Sequence, residues 1–219
     1  MARIAIVGGN GLTARHLISR LSARGDEALA LVRSGDQGPT IEALGGTPVV
    51  LDLVSSSVDD YADALRGADA VVFAAGVGGN GGDVNAVDRD GSIKSIDAAA
   101  AAGLRRFVQI SAVGASGGTP SSLSGPFWEA YYAAKRAGDA HLRDSGLDWT
   151  ILEPGALTED LAADGIELGT RVSSVPISRA DVAATVVAVL DEPASIGFTW
   201  ELVGGDTPVV DAVKAAVAR

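Results

Sequence analysis

Short unbroken apolar runs alternate along this chain with stretches in which apolar residues recur every three or four positions. Ile4-Ala5-Ile6-Val7 is the first such run, ending in glycines as a strand buried on both faces should. Ala14, Leu17, Ile18 and Leu21 then fall on one helical face, and Gly25 stops the helix. Ala28–Val32 predicts a second strand, and Pro48-Val49-Val50-Leu51 a third after another helix. The alternation continues with a helix around Val58–Leu65 before the strand Ala70–Ala74, and a helix from about Val84 to Ala102, closed by Gly103, before Phe107–Ile110. A helix from about Phe127 to Asp144 precedes Trp149–Leu152. Repeated β-α units of this kind predict an α/β fold with a doubly wound parallel sheet.

Beyond Pro154 the pattern loosens. Extended pieces are expected near Arg171–Val175 and Phe198–Val203, flanking a helix from about Ala180 to Leu190, with a last helix over Val209–Ala218. The glycine-rich stretch Gly76–Gly82 reads as a loop at a strand end, too short for a domain linker. A length of 219 residues suits one domain, to which residues 154–219 add a small substrate-side region. With 47% hydrophobic but only 5% aromatic residues, the core must come mainly from Ala, Val, Leu and Ile, as in parallel strands covered by Ala-rich helices.

Charge and composition remove several function classes. A net charge of −11 without clustered Lys and Arg argues against a nucleic-acid partner. The absence of cysteine excludes a disulfide framework, a thiolate nucleophile and sulfur-ligated metal. His16 and His141 lie far apart and read as helix-surface residues, so no metal site is expected. Neither a signal peptide nor a membrane span is visible, which leads to the expectation of a soluble, cytoplasmic protein acting on a small molecule.

The most specific local signal is Gly8-Gly9-Asn10-Gly11-Leu12-Thr13-Ala14, at the junction of the first strand and first helix. Glycines there allow a tight turn and close approach of the main chain to a pyrophosphate. The helix start supplies free N–H groups and a partial positive charge, and Ala14 keeps helix and strand close. A tight turn with no ligand is the bland alternative, but the position in the first β-α unit favours a dinucleotide. The second strand ends in Val32-Arg33-Ser34, where an NAD-preferring site usually has an acid; Asp26 and Glu27 sit at the wrong end of that strand. Arg33 is suited to a 2′-phosphate, with Ser34 as an added donor, so NADP(H) is favoured. NAD(H) stays open if Arg33 stacks on adenine or faces solvent while Asp36 contacts the ribose.

Candidate chemistry lies farther on. Ser111 ends the fifth strand on the edge where open α/β sheets bind ligands. On the following helix Tyr131 and Lys135 share a face. A cationic Lys beside the phenol is expected to lower the Tyr131 pKa, so that Tyr131 exchanges a proton with a substrate oxygen held by Ser111. An aromatic residue and a Lys that merely pack together are the alternative.

Taken in order, Gly8-x-x-Gly11-x-x-Ala14, Leu31-Val32-Arg33, Asp52, Ala74-Ala75-Gly76 and Val87–Gly91 resemble the short-chain dehydrogenase/reductase superfamily. Arg106–Ser111, Tyr131–Arg136, Glu153–Thr158 and Ser178–Ala183 extend the likeness over nearly the whole chain. The resemblance is to small atypical members, epimerase/dehydratase-like or NmrA-like. It implies a Rossmann fold in which Asp52 and Leu53 border the adenine and Ala74, Ala75 and Gly76 line the middle of the cofactor. It also implies a Lys135 contact to the nicotinamide ribose, a Pro154-Gly155 loop near the nicotinamide, and Tyr131 handling the proton. Homodimers built on paired helices fit the superfamily. Three departures stand out: Asp88 where extended members commonly have Asn, Ala112 where a second Ser is frequent, and Glu153 in place of an Arg often seen before Pro-Gly. An NADPH-dependent reductase of a small carbonyl or quinone-like compound is the leading expectation. A non-enzymatic redox sensor resembling NmrA-like proteins comes next, and a nucleotide-sugar epimerase or dehydratase third.

Overall fold

The computed structural model describes residues 1–78, 82–117 and 123–218. Most of the loop expected over Gly76–Gly82 is among them, but Gly79, Asn80 and Gly81 lie outside. A central sheet of nine strands runs in the order β11-β8-β10-β6-β5-β4-β1-β2-β3. Its parallel strands are β1 (Arg3–Val7), β2 (Glu27–Val32), β3 (Thr47–Val50), β4 (Ala70–Phe73), β5 (Arg106–Ile110), β6 (Asp148–Pro154) and β10 (Phe198–Gly204). The antiparallel strand β8 (Gly165–Gly169) and the two-residue β11 (Thr207–Pro208) close one edge, while β7 (Leu157–Thr158) pairs with β9 (Ile177–Ser178) apart from the main sheet. Chain direction across the sheet reverses between β1 and β4, and open α/β sheets bind ligands in the crevice above such a switch point.

Alternation along the strands explains why both faces are covered. Ile4, Ile6, Ala28, Ala30 and Val32 face α1 (Leu12–Ala23), α6 (Arg179–Leu190) and α7 (Val209–Val217) in one core. Ala5, Val7, Leu29 and Leu31 face α3 (Val58–Leu65), α4 (Gly91–Ala101) and α5 (Pro126–Asp144) in the other. The short α2 (Gly38–Ala43) sends Ile41 into the first core. Residues after Pro154 continue the same sheet, since β10 lies beside β6 and α6 packs against α1.

Two expectations need correction. The extended piece expected at Arg171–Val175 is irregular; the strand lies upstream at Gly165–Gly169, and Val172 N–H donates to the Glu201 carboxylate instead of joining a ladder. The single helix expected from Val84 begins as a π-helical segment, Asn85–Asp90, before α4 proper. Asp83 caps this start by accepting from Asn85 and Ala86 N–H. The wider turn carries Asp88 inward, where it is buried. Such π segments are frequent at functional sites.

Candidate active site

The loop after β1 is shaped by close main-chain approach. Gly8 has φ of 81°, and a Cβ on it would lie 2.7 Å from Ala75 Cα; a Cβ on Gly9 would lie 2.6 Å from Ala30 Cβ. Only hydrogen fits at either position, so the main chain of the β1 loop lies against Ala75 after β4 and Ala30 on β2. Gly11 caps α1 with no side-chain cap hydrogen bond and no acid in the first turn. The opening N–H groups of a helix have no intrahelical acceptor, and here nothing negative competes for them. A diphosphate fits this cradle. Arg15, which the sequence reading passed over, clamps the loop: its Nε and a terminal nitrogen reach Asn10 Oδ1 at 3.2 and 2.9 Å.

The neighbouring strand ends supply the rest of the crevice. Arg33 is exposed at the end of β2, and its guanidinium makes no ion pair with a described residue. Ser34 follows it, half-buried, at the start of a short 3₁₀ turn. Asp52 accepts from Val54 N–H, Ser55 N–H and Ser55 Oγ, which hold its carboxyl below the usual range, the Ser55 main-chain bond most of all. Lys94 braces the same loop through the Leu53 carbonyl at 2.8 Å. Leu53 packs over Gly91, where a Cβ would come within 2.6 Å of it. Ala74 and Ala75 are half-buried above β4 and Gly76 is exposed. Pro154 and Gly155 stand at the end of β6, where Gly155 N–H donates to Leu202 O.

Beside these ends lies a cluster of buried charge. Lys135 Nζ sits 3.0 Å from Asp88 Oδ1, with side-chain exposures of 6% and 0%; the approach is too oblique for a well-formed hydrogen bond. Asp88 Oδ2 accepts from Val77 N–H, and a Cβ on Gly76 would lie 2.9 Å from Asp88 Oδ1. The glycine ending Ala74-Ala75-Gly76 thus stands beside the Lys135–Asp88 pair. Burial works against the Lys135 ammonium, but Tyr131 and Asp88 outweigh it and raise its pKa.

Tyr131 and Ser111 depart from the sequence expectation. Lys135 Nζ lies 5.6 Å from the centre of the Tyr131 ring, a cation–π approach. Burial pushes the phenol above its ordinary range, and Lys135 only partly offsets this because Asp88 and Asp139 push the same way. The expected lowering is therefore reversed. Ser111, buried and expected to face a substrate oxygen, donates instead to Asp139 Oδ2 at 2.6 Å. Asp139 also accepts from Gln109 Nε2 at 2.6 Å, and Gln109 Oε1 accepts from Ser92 Oγ at 2.9 Å. Burial raises the Asp139 carboxyl despite these donors. The clue to Asp139 was the spacing Tyr131, Lys135, Asp139, a single helical stripe.

Glu153 is buried at the end of β6, where it accepts from Ser116 N–H and Oγ; burial raises its carboxyl as well. Phe127, Trp128, Tyr131 and Tyr132 pack edge-on or stacked at the start of α5, next to Ala112 and Ala115. Four of the ten aromatic residues of the chain are thus gathered at one corner of the site. Tyr132 is the core member, its hydroxyl bonded to Val113 O. His16 is exposed on α1, and His141 on α5 pairs with Asp97. Among the described residues no cluster of three His, Cys, Asp or Glu is arranged to hold a metal.

Comparison with known proteins places the chain in a family. A family described as NAD(P)H-binding matches residues 8–193. The uncharacterized sugar epimerase YhfK of Bacillus subtilis (strain 168) is 35% identical over 215 residues, spanning 97% of this chain and 99% of its own. A solved structure named as a candidate NAD-dependent epimerase/dehydratase from Bacillus halodurans superposes with a TM-score of 0.89 at 34% identity, covering 98% of this chain and 100% of its own. The oxidoreductase ylbE of Lactococcus lactis gives 0.88 at 29% identity, covering 99% and 97%. Among the described residues no helix is long and apolar enough to cross a membrane. With a glycine cradle at the switch point and a family match over most of its length, the chain belongs to the NAD(P)H-binding family and is similar to epimerase-like members of it.

Proposed function

We propose that the protein is an NADP(H)-dependent reductase of a small carbonyl or quinone-like compound. The observation that supports this is the contact at Gly76, where a Cβ would lie 2.9 Å from Asp88 Oδ1 and 3.7 Å from Lys135 Nζ; a nicotinamide half bound along Ala74-Ala75-Gly76 would lie within reach of Lys135 and, through it, Tyr131. Gly8–Gly11 with Leu12 and Thr13 would hold the diphosphate, Arg33 and Ser34 a 2′-phosphate, and Asp52 and Leu53 the adenine side. Ala74–Gly76, Lys135 and Pro154-Gly155 would hold the nicotinamide half. When bound, the reduced coenzyme supplies a hydride to the substrate carbon.

The chain's own residues handle the oxygen. A phenol above its ordinary range keeps its proton at neutral pH, the state required to protonate a carbonyl oxygen as it gains charge. Lys135 then stabilises the phenolate left on Tyr131 until solvent returns a proton. The aromatic corner at Phe127, Trp128 and Tyr131 offers an apolar wall to a planar substrate. Specificity for quinone-like compounds fits that wall.

A redox-sensor reading draws on one observation, the commitment of the Ser111 proton to Asp139, which describes a site at rest. Steady-state NADPH oxidation over a panel of aldehydes, ketones and quinones separates the two. Tyr131→Phe should lower kcat at least 100-fold with little change in NADPH affinity, in the range of general acid catalysis. Full activity in Tyr131→Phe would remove Tyr131 from the chemistry. NADPH binding without turnover of any compound would favour the sensor, and sugar interconversion without NADPH consumption would favour epimerisation.

A further inference from the structure

Ser111 has one hydroxyl proton, and a buried carboxylate lies within reach to accept it. Its Oγ lies 2.6 Å from Asp139 Oδ2 and donates to it, a charge-assisted geometry. Ser111 is fixed at the backbone as well, since its N–H donates to Leu152 O at 2.7 Å. Asp139 is held by Gln109, and Gln109 by Ser92, so the chain Ser92–Gln109–Asp139–Ser111 runs from the interior to the sheet edge with every link made by a buried side chain. Gly138 makes room for it, because a Cβ there would lie 2.6 Å from Ser92 Oγ.

We propose that Asp139 is a positioning residue that sets the hydrogen-bond polarity of Ser111, holding it as an acceptor while the carboxylate is ionised and turning it into an outward donor when the carboxylate takes up a proton. This rests on the reading that Ser111 and Tyr131 receive the substrate oxygen. With Asp139 ionised, the Ser111 proton points inward and only lone pairs face the site, which suits a substrate hydroxyl. One proton from solvent on Asp139 Oδ2 reverses the bond: Oδ2–H donates to Ser111 Oγ, and the Ser111 proton is free to meet a carbonyl oxygen. The site would then favour the carbonyl at lower pH and the alcohol at higher pH.

Burial of Asp139 favours uptake of this proton above the ordinary aspartate range. Lys135 and Arg143 on α5 favour the carboxylate, as do the Ser111 and Gln109 bonds, while burial opposes it. Glu153 on β6 lies close enough to feel its charge, and Tyr131 on α5 does as well. Arg143 also donates to Thr199 and Ser116. Burial outweighs the favourable partners, and the carboxyl is raised.

Two measurements test the assignment. In ¹³C-carboxyl NMR titration of the whole protein, Asp139 should titrate above the ordinary aspartate range. Ser111→Ala, which removes a donor to the carboxylate, should raise that midpoint by at least half a pH unit, whereas Tyr131→Phe should not move it. An unmoved midpoint in Ser111→Ala overturns the proposal. In the second measurement, kcat/KM for reduction of 9,10-phenanthrenequinone by NADPH should fall as pH rises through the Asp139 midpoint. Asp139→Asn keeps the Gln109 bond and donates permanently to Ser111, so it should hold the low-pH rate at high pH and abolish that limb. A merely structural Asp139 would give a uniform loss with the limb intact, which overturns the proposal. If the quinone and every other carbonyl are inert, the reductase reading fails, and the NMR comparison alone decides the polarity of Ser111.

Discussion

The side of the sheet edge formed by the β1 and β4 loops is shaped by glycine and main chain, whereas the side formed by β5, α5 and β6 is shaped by ionisable side chains packed out of water. On the first side Gly8 and Gly9 exclude any Cβ, and α1 opens with no acid near its first turn. On the second, Asp88, Lys135, Asp139 and Glu153 are all buried, and three of the four are acids. A backbone cradle carries no ionisable side chain, and the open N–H groups at the start of α1 stay in reach of water, since Gly11 and Leu12 are exposed. A buried carboxylate is stable only while its partners hold, so the two sides should respond very differently to single substitutions. The difference also separates tasks: the first side suits a fixed anionic group, and the second suits protons that move.

The largest effect is expected where a buried charge loses its partner. Lys135→Met leaves Asp88 without a cation and should cost about 3–5 kcal/mol of unfolding free energy in urea denaturation. Adding Asp88→Asn retains an acceptor for Val77 N–H and removes the orphaned charge, so the double variant should recover at least half of that loss while staying inactive. A single variant as stable as the wild type would show that the pair contributes little, and the contrast between the two sides would weaken.

A smaller loss is expected on the backbone side. Gly8→Ala forces a left-handed φ of 81° on an L-residue and drives its Cβ against Ala75 Cα. Strain and overpacking together should cost about 2–3 kcal/mol. By pushing the β1 and β4 loops apart, the substitution should also weaken NADPH binding about 100-fold, read by fluorescence titration. Asn10→Ala, which removes the side-chain part of the Arg15 clamp and leaves the bond to the Asn10 carbonyl, should weaken binding far less. Equal losses from the two variants would mean that side-chain contacts, not close backbone approach, shape the cradle.

This division also explains what could be read from the chain. The strand and helix pattern up to Pro154 was legible because each parallel strand is an apolar run and each helix carries an apolar stripe, and so was the loop Gly8–Ala14, whose meaning is local. The strand at Gly165–Gly169 was missed because Glu167 interrupts its apolar residues and glycines bound it, whereas Val172 and Val175 offered an apolar pattern with no ladder behind it. The state of Tyr131 was misread for a different reason. Sequence spacing shows that Lys135 is near, but not that Asp88, reached through the π-helical segment, shares its charge, nor that burial outweighs what remains. The bond from Ser111 to Asp139 joins residues 28 positions apart, so helical spacing could flag Asp139 but not its partner.

The smallest effect tests the cofactor side at its exposed rim. Arg33 stands free of ion pairs with described residues at the end of β2, and its charge reaches the nearby Asp52. If it receives the 2′-phosphate, Arg33→Ala should weaken NADPH binding about tenfold, the loss of one charge-assisted contact, and leave NADH binding unchanged. Rising salt should narrow the wild-type preference, because the contact lies in water. Stability should not change, since the guanidinium makes no hydrogen bond or ion pair with a described residue. An equal loss of both coenzymes would instead place Arg33 against the adenine, a role indifferent to the 2′ position. The preference would then have to come from the turn after β2, where Asp36 is exposed and would favour a ribose hydroxyl over a phosphate.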